Sequence, residues 1–189
     1  MTVYKILTDK ENFRIFNLDL EELFSELGED FDFNFPSMGV YVKDSWKTLK
    51  KGEFIQTPEY PDAIETPDIS EWQSGDLVLS DKAFSLLHKY LSDYGEFLPV
   101  QCNNDNYYIF NILNIMNVVD MNDSEQDIDQ GIYMGINKLS FKEDLLADTL
   151  IFKTKFDNLT GVYCTDTFRD LIDELGLTGL LFTDDLTSS

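Results

Sequence analysis

The sequence predicts an α+β fold, a single domain with a mixed, mostly antiparallel sheet and two or three helices. Two strand–helix–strand units, at residues 77–100 and 162–182, predict helices beside paired strands. Short β-rich segments separated by turns fill much of the remaining chain, which is typical of hairpins. The hydrophobic share is 43% and the aromatic share 14%, so the chain has enough apolar surface to bury a core.

The first 35 residues are predicted to be a strand–helix extension, residues 1–35, that packs on a main domain, residues 36–189. Its strand is the β-rich segment from Val3 to Leu7. Its helix begins after Asp19, which is a good N-cap, and stops at Gly28, and its apolar residues recur at helical spacing.

A short strand and then an irregular stretch are predicted for residues 31–75. The strand is indicated by phenylalanines that alternate with polar residues before Pro36, namely Phe31, Phe33 and Phe35. Prolines and glycines cut the rest into turns, with Val40–Val42 and Glu53–Ile55 as strand candidates. Such a long connection either carries binding residues or packs as an irregular layer, and both interpretations stay open here.

The middle of the chain has a sharper pattern. Leu77–Leu79 predicts a buried strand, and Ser80 is a good N-cap for a helix that stops at Gly95. Residues 96–100 form a short predicted strand, in which Pro99 indicates an edge position or a strand end.

The rest of the chain is predicted to alternate strands with one more helix. Residues 107–119 favour a long, bent strand because they are aromatic and β-branched, although asparagines at every third position would also fit a helix. An acidic loop follows at residues 120–131, and then the segments 131–136 and 139–141. The remaining strands, N-cap and helix stop are Leu150–Thr154, Val162–Cys164, Thr165, Gly176 and Gly179–Phe182, before a polar tail.

Charge is the strongest compositional feature. Thirty-six acidic residues face 14 basic ones, which gives a net charge of −22 at pH 7. Such a field repels nucleic acid and anionic membranes and attracts basic proteins, which makes a basic partner protein the expected one. The alternative is that the acidic surface serves solubility alone.

Several features predict a cytoplasmic protein. No apolar run approaches the roughly 20 residues that span a bilayer. Near the N-terminus, charged residues appear at Asp9, Lys10 and Glu11 before a signal-peptide core could develop. The two cysteines, Cys102 and Cys164, are too few for a disulfide scaffold and are expected to be reduced core thiols, with a disulfide between them as the open alternative.

Catalytic motifs are weak in this sequence, and no catalytic, cofactor-binding or metal-binding residue is predicted. His88 is the only histidine, and its helical position between core residues argues against a catalytic base. No zinc ligand set and no Gly-rich phosphate loop occur. With so many carboxylates, a carboxylate- or metal-dependent enzyme stays an alternative to a binding protein.

Two sets of residues are candidate contacts for a partner protein. In the acidic loop, Asp123, Glu125, Asp127 and Asp129 could reach lysines and arginines of a basic partner. The loop fails as an EF-hand because, counted from Asp123, its sixth and twelfth residues are Ile128 and Met134, so a plain solvated loop is the other interpretation. Trp46 and Trp72 could anchor a contact as large aromatics, or could pack in the core.

Segments from residue 62 onward resemble a known protein family. They are Pro67-Asp-Ile69, Leu77-Val-Leu-Ser-Asp81, Phe97-Leu-Pro-Val100, Tyr107–Leu113 and Leu175-Gly-Leu-Thr-Gly-Leu-Leu-Phe182. In this order they are similar to the immunity proteins of bacterial polymorphic toxin systems, including the myxobacterial immunity-type domain.

The resemblance implies a cytoplasmic protein that binds a cognate toxin, occludes its active surface and thereby neutralises it. It implies no catalytic residue and brings no motif for the contact surface. The negative charge agrees with a basic, nuclease-type toxin, because such enzymes grip phosphates with cations. An acidic nucleic-acid mimic or adaptor with another DNA-binding target stays an alternative.

Overall fold

A computed structural model describes residues 1–187; Ser188 and Ser189, the end of the predicted polar tail, lie outside the described residues. The described chain contains twelve strands and four α-helices, arranged in sheets of four, six and two strands. The α+β prediction is therefore confirmed, with one more helix than expected because a single-turn helix occurs near residue 36.

The four-stranded sheet joins the two ends of the chain. Its order is β10–β11–β1–β12, and all its pairs are antiparallel. The predicted boundary at residue 35 stays a prediction, and the first strand lies inside a sheet whose other members all come from residues beyond 150. The strands are β1 (Val3–Thr8), β10 (Ile151–Phe152), β11 (Tyr163–Thr165) and β12 (Leu180–Thr183).

The six-stranded sheet is mixed, as predicted. Its strands are β2 (Ile15–Leu18), β3 (Leu49–Ile55), β4 (Ile69–Ser70), β5 (Asp76–Ser80), β6 (Gly95–Cys102) and β7 (Asp105–Ile112). Their order is β2–β3–β6–β7–β5–β4, and only the β3–β6 pair is parallel. The sheet curls until its edges approach, since the Phe16 N–H donates to Ser70 Oγ over 3.3 Å.

The helices begin where capping residues predict. They are α1 (Leu20–Leu27), α2 (Phe35–Met38), α3 (Asp81–Leu91) and α4 (Asp166–Glu174). Asp19 and Ser80 cap α1 and α3 by accepting backbone N–H groups three residues ahead. Thr165 also precedes its helix, but its hydroxyl donates to Thr149 O instead. The predicted stop of α3 at Gly95 is wrong, because α3 ends at Leu91 and Gly95 already begins β6.

The core lies on both faces of the six-stranded sheet. Leu77 and Leu79 of β5 pack with α3 and α4 on one face. Val78 packs on the other face, in a cluster that includes Phe16 and Phe35. Because both faces of β5 are buried, Leu77, Val78 and Leu79 are all apolar, which explains the unbroken apolar run Leu77–Leu79 in the sequence.

The segment Val40–Val42, predicted as a strand, is irregular because side chains satisfy its backbone. The buried carboxyl group of Glu96 accepts the Val42 and Lys43 N–H groups, each over 2.8 Å. The Asn111 Nδ2 atom donates to Glu96 Oε1 over 2.7 Å and to Val40 O over 2.8 Å. A side-chain network thus replaces the neighbouring strand.

The strand predicted at residues 31–35 is wrong. Phe31 is irregular, Phe33 lies in a turn and Phe35 begins α2, and their rings pack edge-on against neighbouring aromatics. The long strand predicted for residues 107–119 ends at Ile112, the last residue of β7. Between Leu113 and Val119, the chain forms only isolated bridges, at Ile115 and Val119.

Candidate interaction surface

The loop predicted for residues 120–131 is wrong for residues 125–129, which form the first strand of a β-hairpin; residues 120–124 are irregular, as predicted. The strands of the hairpin are β8 (Glu125–Asp129) and β9 (Ile132–Lys138), which pair antiparallel as a separate sheet. Gln130 and Gly131 connect them with φ angles of 49° and 85°. Two successive left-handed residues are typical of the type I′ turn, which matches the twist of a hairpin.

The hairpin gathers the acidic candidates on one strand. Glu125, Asp127 and Asp129 alternate along β8 and are exposed, so they project from the same face. Asp129 lies opposite Ile132, which is 65% exposed, and Met134, the extra residue of a bulge beside Asp127, is 61% exposed. We call these five exposed residues the hairpin surface.

The opposite face attaches the hairpin to the body of the protein. Ile136 packs against a core cluster that includes Phe141, Phe152 and Tyr163. The Gln126 side-chain amide donates to Phe156 O. The acidic strand is therefore held in place from one side while the hairpin surface stays in solvent.

Asp123, just before β8, differs from the other candidates. It forms an ion pair with Lys138 at the far end of β9. The hydrogen bond from Lys138 and the ammonium charge hold the pKa of the Asp123 carboxyl below its usual range. In the described chain, Asp127 and Asp129 have no ion pair or side-chain hydrogen bond, so their charges are available to a partner.

Trp46 and Trp72 are half-buried in a different part of the molecule. Their rings pack on Phe35, with centroids 5.8 and 6.2 Å away, and the Trp46 Nε1–H donates to Pro99 O over 3.0 Å. Pro99 lies one residue before Val100, where the pairing of β6 with β3 begins. Its missing N–H therefore costs no hydrogen bond to β3, and a proline is tolerated inside this central strand. A role for either tryptophan in partner binding stays a prediction.

The hairpin surface contains two residues that sequence reasoning missed. Ile132 and Met134 were not candidates because the acidic segment was treated as a loop. The local signal was weak: Gly131 suits the left-handed second position of a hairpin turn, but Gln130 is not typical of the first position and residues 125–129 do not alternate apolar with polar residues. With the hairpin assigned, alternation would have placed the carboxylates and the apolar side chains on one surface.

A cleft of about 450 Å³ lies between β1 and the turn before β5. Its lining contains the ionisable side chains of Lys5, Lys10, Glu11, Glu71 and Asp76. Asp76 is fully buried, and one oxygen accepts the Trp72 N–H over 3.0 Å and the Gln73 N–H over 3.3 Å. Burial raises the pKa of Asp76 to about 8, which keeps its proton at neutral pH.

The buried polar groups beside this cleft support the fold. Lys153 Nζ donates to Gly75 O over 3.2 Å and also to Pro36 O, and burial lowers its pKa to about 8. Asp157 accepts the Tyr163 hydroxyl and the Gly161 N–H, each over 2.8 Å. These bonds join loops to strands, which is a structural role.

His88, Cys102 and Cys164 do not form a catalytic arrangement with one another. His88 is exposed on α3 with its ring 4.9 Å from that of Phe84. Cys102 and Cys164 are free and buried, as predicted, and burial raises the pKa of Cys102 to about 12. Within residues 1–187, no group of three or more His, Cys, Asp or Glu side chains is placed to hold a metal ion. None of the described helices combines the length and apolarity needed to cross a bilayer.

Comparison with known proteins gives one family. The family described as the immunity protein family Imm11 matches residues 24–185, which is most of the chain. The match confirms the resemblance read from the segments after residue 62 and extends it back to Phe24, in the second half of α1. No curated protein was found to match.

Proposed function

Because the chain belongs to the immunity protein family Imm11, we propose that it binds a cognate toxin protein in the cytoplasm and neutralises it there. The membership suggests a toxin inhibitor without enzymatic activity of its own. We further propose that the toxin carries a basic surface, as nuclease-type toxins do, and that the bound protein occludes it.

The hairpin surface is the observation that carries this proposal. It combines three exposed carboxylates with exposed Ile132 and Met134 on a strand pair that is fixed from behind. Protein–protein interfaces combine buried apolar side chains with a polar rim, and Ile132 and Met134 beside three carboxylates offer both kinds of group. The net charge of −22 attracts a basic protein to this surface from a distance.

Charge neutralisation tests the contact. A variant that loses four negative charges at the hairpin should associate more slowly with the toxin encoded by the neighbouring gene, because electrostatic steering depends on these charges. Its substitutions are Asp123→Asn, Glu125→Gln, Asp127→Asn and Asp129→Asn. At low salt we expect a loss of about ten-fold or more in the association rate, and a weaker dependence on salt. Stopped-flow or surface plasmon resonance at several salt concentrations measures both.

A matched control removes the same number of negative charges elsewhere. The control variant changes four exposed carboxylates outside the hairpin: Glu29→Gln, Asp30→Asn, Glu59→Gln and Asp62→Asn. We expect a much smaller change in the association rate, because long-range attraction persists and the hairpin is intact. Equal rates for the two variants would remove the hairpin as the contact.

Co-expression tests the function itself. The product of the neighbouring gene should arrest growth when expressed alone, and this protein should restore growth when expressed with it. A harmless neighbour, or a toxic one that this protein leaves active, contradicts the proposed function.

A further inference from the structure

The hairpin has open backbone edges. Within residues 1–187, no backbone hydrogen bond joins β8 or β9 to any element except the other hairpin strand. Unpaired strand edges are templates for an added strand, and proteins normally protect them by bulges, charges or coverage. On the hairpin these devices are distributed unequally between the two strands.

β9 is the irregular strand, and β8 is the regular one. Both register shifts insert a residue into β9, at Met134 and at Asn137, so they bend that strand. β8 pairs continuously from Glu125 to Asp129 without an extra residue. Its outer edge is therefore the straight one, with evenly spaced backbone groups for an incoming strand.

The orientation of the edge groups follows from the turn. A two-residue hairpin turn is closed by a hydrogen-bonded pair, here Asp129 and Ile132, and bonded and non-bonded pairs alternate along the ladder. The next pair, Ile128 and Tyr133, therefore turns its N–H and C=O groups away from the hairpin. Ile128 is 50% exposed, in agreement with an accessible edge.

Charge determines which strand fits this edge. A second copy of this chain would bring Glu125, Asp127 and Asp129 against the same three carboxylates, and like charges on paired strands repel. A strand with lysine or arginine at alternate positions would instead place cations beside these carboxylates.

We infer that the outer edge of β8 pairs with an extended, basic segment of the partner protein, which extends the hairpin to a three-stranded sheet. This inference rests on the proposed function for the identity of the partner as the toxin. Backbone pairing supplies affinity in this mode, and the alternating carboxylates supply specificity.

The test uses a peptide probe and two variants at one position. The probe is an octapeptide of alternating lysine and valine, and its control has the same composition with all lysines before all valines. Ile128→Pro removes the outward N–H without removing a bond within the hairpin, since this N–H faces away from β9. Ile128→Ala is the matched variant, because it removes the side chain and keeps the N–H.

We expect the alternating peptide to bind wild-type protein more tightly than the block peptide, and to slow hydrogen exchange at the Ile128 amide. Ile128→Pro should bind it about ten-fold more weakly than Ile128→Ala, which corresponds to the loss of an edge hydrogen bond. An amide spectrum that preserves the signals of β9 shows that the Pro variant keeps its hairpin. If that variant loses these signals, exchange at Ile128 in wild-type protein decides.

Equal affinity of the two variants, or unchanged exchange at Ile128 with saturating peptide, would overturn strand addition. Protection against the neighbouring toxin is measured separately in cells. If wild-type protein protects cells from the toxin while the peptide leaves hydrogen exchange at its Ile128 amide unchanged, only the strand addition is overturned. Wild-type protein that fails to protect overturns the proposed function, whatever the peptide does.

Discussion

The carboxyl group of Asp76 is fully buried, and its second oxygen has no hydrogen-bond partner among residues 1–187. An ionised carboxylate is costly in such a place, so burial raises the pKa of Asp76 from an ordinary 3.8 to about 8. The folded protein therefore keeps a proton that the unfolded chain releases above about pH 4.

This protonation makes a prediction about pH. A group whose pKa is raised on folding contributes stability below its unfolded pKa, and that stability is lost as the pH rises through the folded pKa. Between pH 5 and 7.5, Asp76 should lower the free energy of unfolding by up to about 1.4 kcal/mol per pH unit. Asp76→Asn cannot ionise, so its stability relative to wild type should increase over that range in urea unfolding.

The control for this prediction is Asp62→Asn, at an exposed aspartate. Its free energy of unfolding should run parallel to that of wild type at every pH. A parallel course for Asp76→Asn as well would mean that Asp76 is already ionised in the folded protein, and the structural account of its burial would be wrong.

Patterns formed by residues close together in the sequence predicted the helix caps and the state of the cysteines. Asp19 and Ser80 cap helices as expected, and both cysteines are buried and free, because caps and apolar thiols depend on neighbours close in sequence. The burial of Lys153 was not foreseen, since its partners Pro36 O and Gly75 O lie far away along the chain. No local pattern marks a lysine that will donate to distant carbonyls.

At the scale of elements, the segment around Val42 depends on one side chain. Glu96 is buried and accepts hydrogen bonds from Val42, Lys43 and Asn111. Glu96→Ala should leave these donors unsatisfied and lower the free energy of unfolding by about 2–4 kcal/mol. Urea unfolding followed by tryptophan fluorescence measures the loss.

Glu96→Gln is the conservative variant for the same position. It keeps one acceptor oxygen, so we expect a loss clearly smaller than that of Glu96→Ala. A loss below about 1 kcal/mol for Glu96→Ala would show that water replaces the carboxyl group, and the segment would not depend on it.

The hairpin shows why an acidic segment was misread at this scale. Asp and, to a lesser degree, Glu are depleted in strands, so composition favoured a loop for residues 125–129. The type I′ turn at Gln130–Gly131 and the packing of Ile136 on the core outweigh that preference. Tertiary contacts on one face therefore decided the structure of the strand that carries the charges.

At the scale of the whole molecule, the net charge of −22 acts on stability as well as on binding. Self-repulsion destabilises a compact, highly charged state, and salt screens it. Raising NaCl from about 20 mM to about 500 mM should therefore raise Tm. The control variant at Glu29, Asp30, Glu59 and Asp62 removes four negative charges, so it should gain less from salt.

Calorimetry at both salt concentrations measures this difference. An equal gain in Tm for the wild type and the control variant would show that salt acts through something other than surface repulsion. A fall in Tm for the wild type would mean that attractive ion pairs, such as that of Lys82 with Asp68, outweigh the repulsion.

The sequence by itself determined the α+β class, the two capped helices α1 and α3, the charge and the family, because each depends on composition or on residues close along the chain. Only the tertiary structure decided that β1 pairs with β11 and β12, that Glu96 holds the segment at Val42, and that the acidic residues form a hairpin beside Ile132 and Met134. These features depend on contacts between residues far apart in sequence. Their stability comes from burial and hydrogen bonds that exist only once the chain has folded.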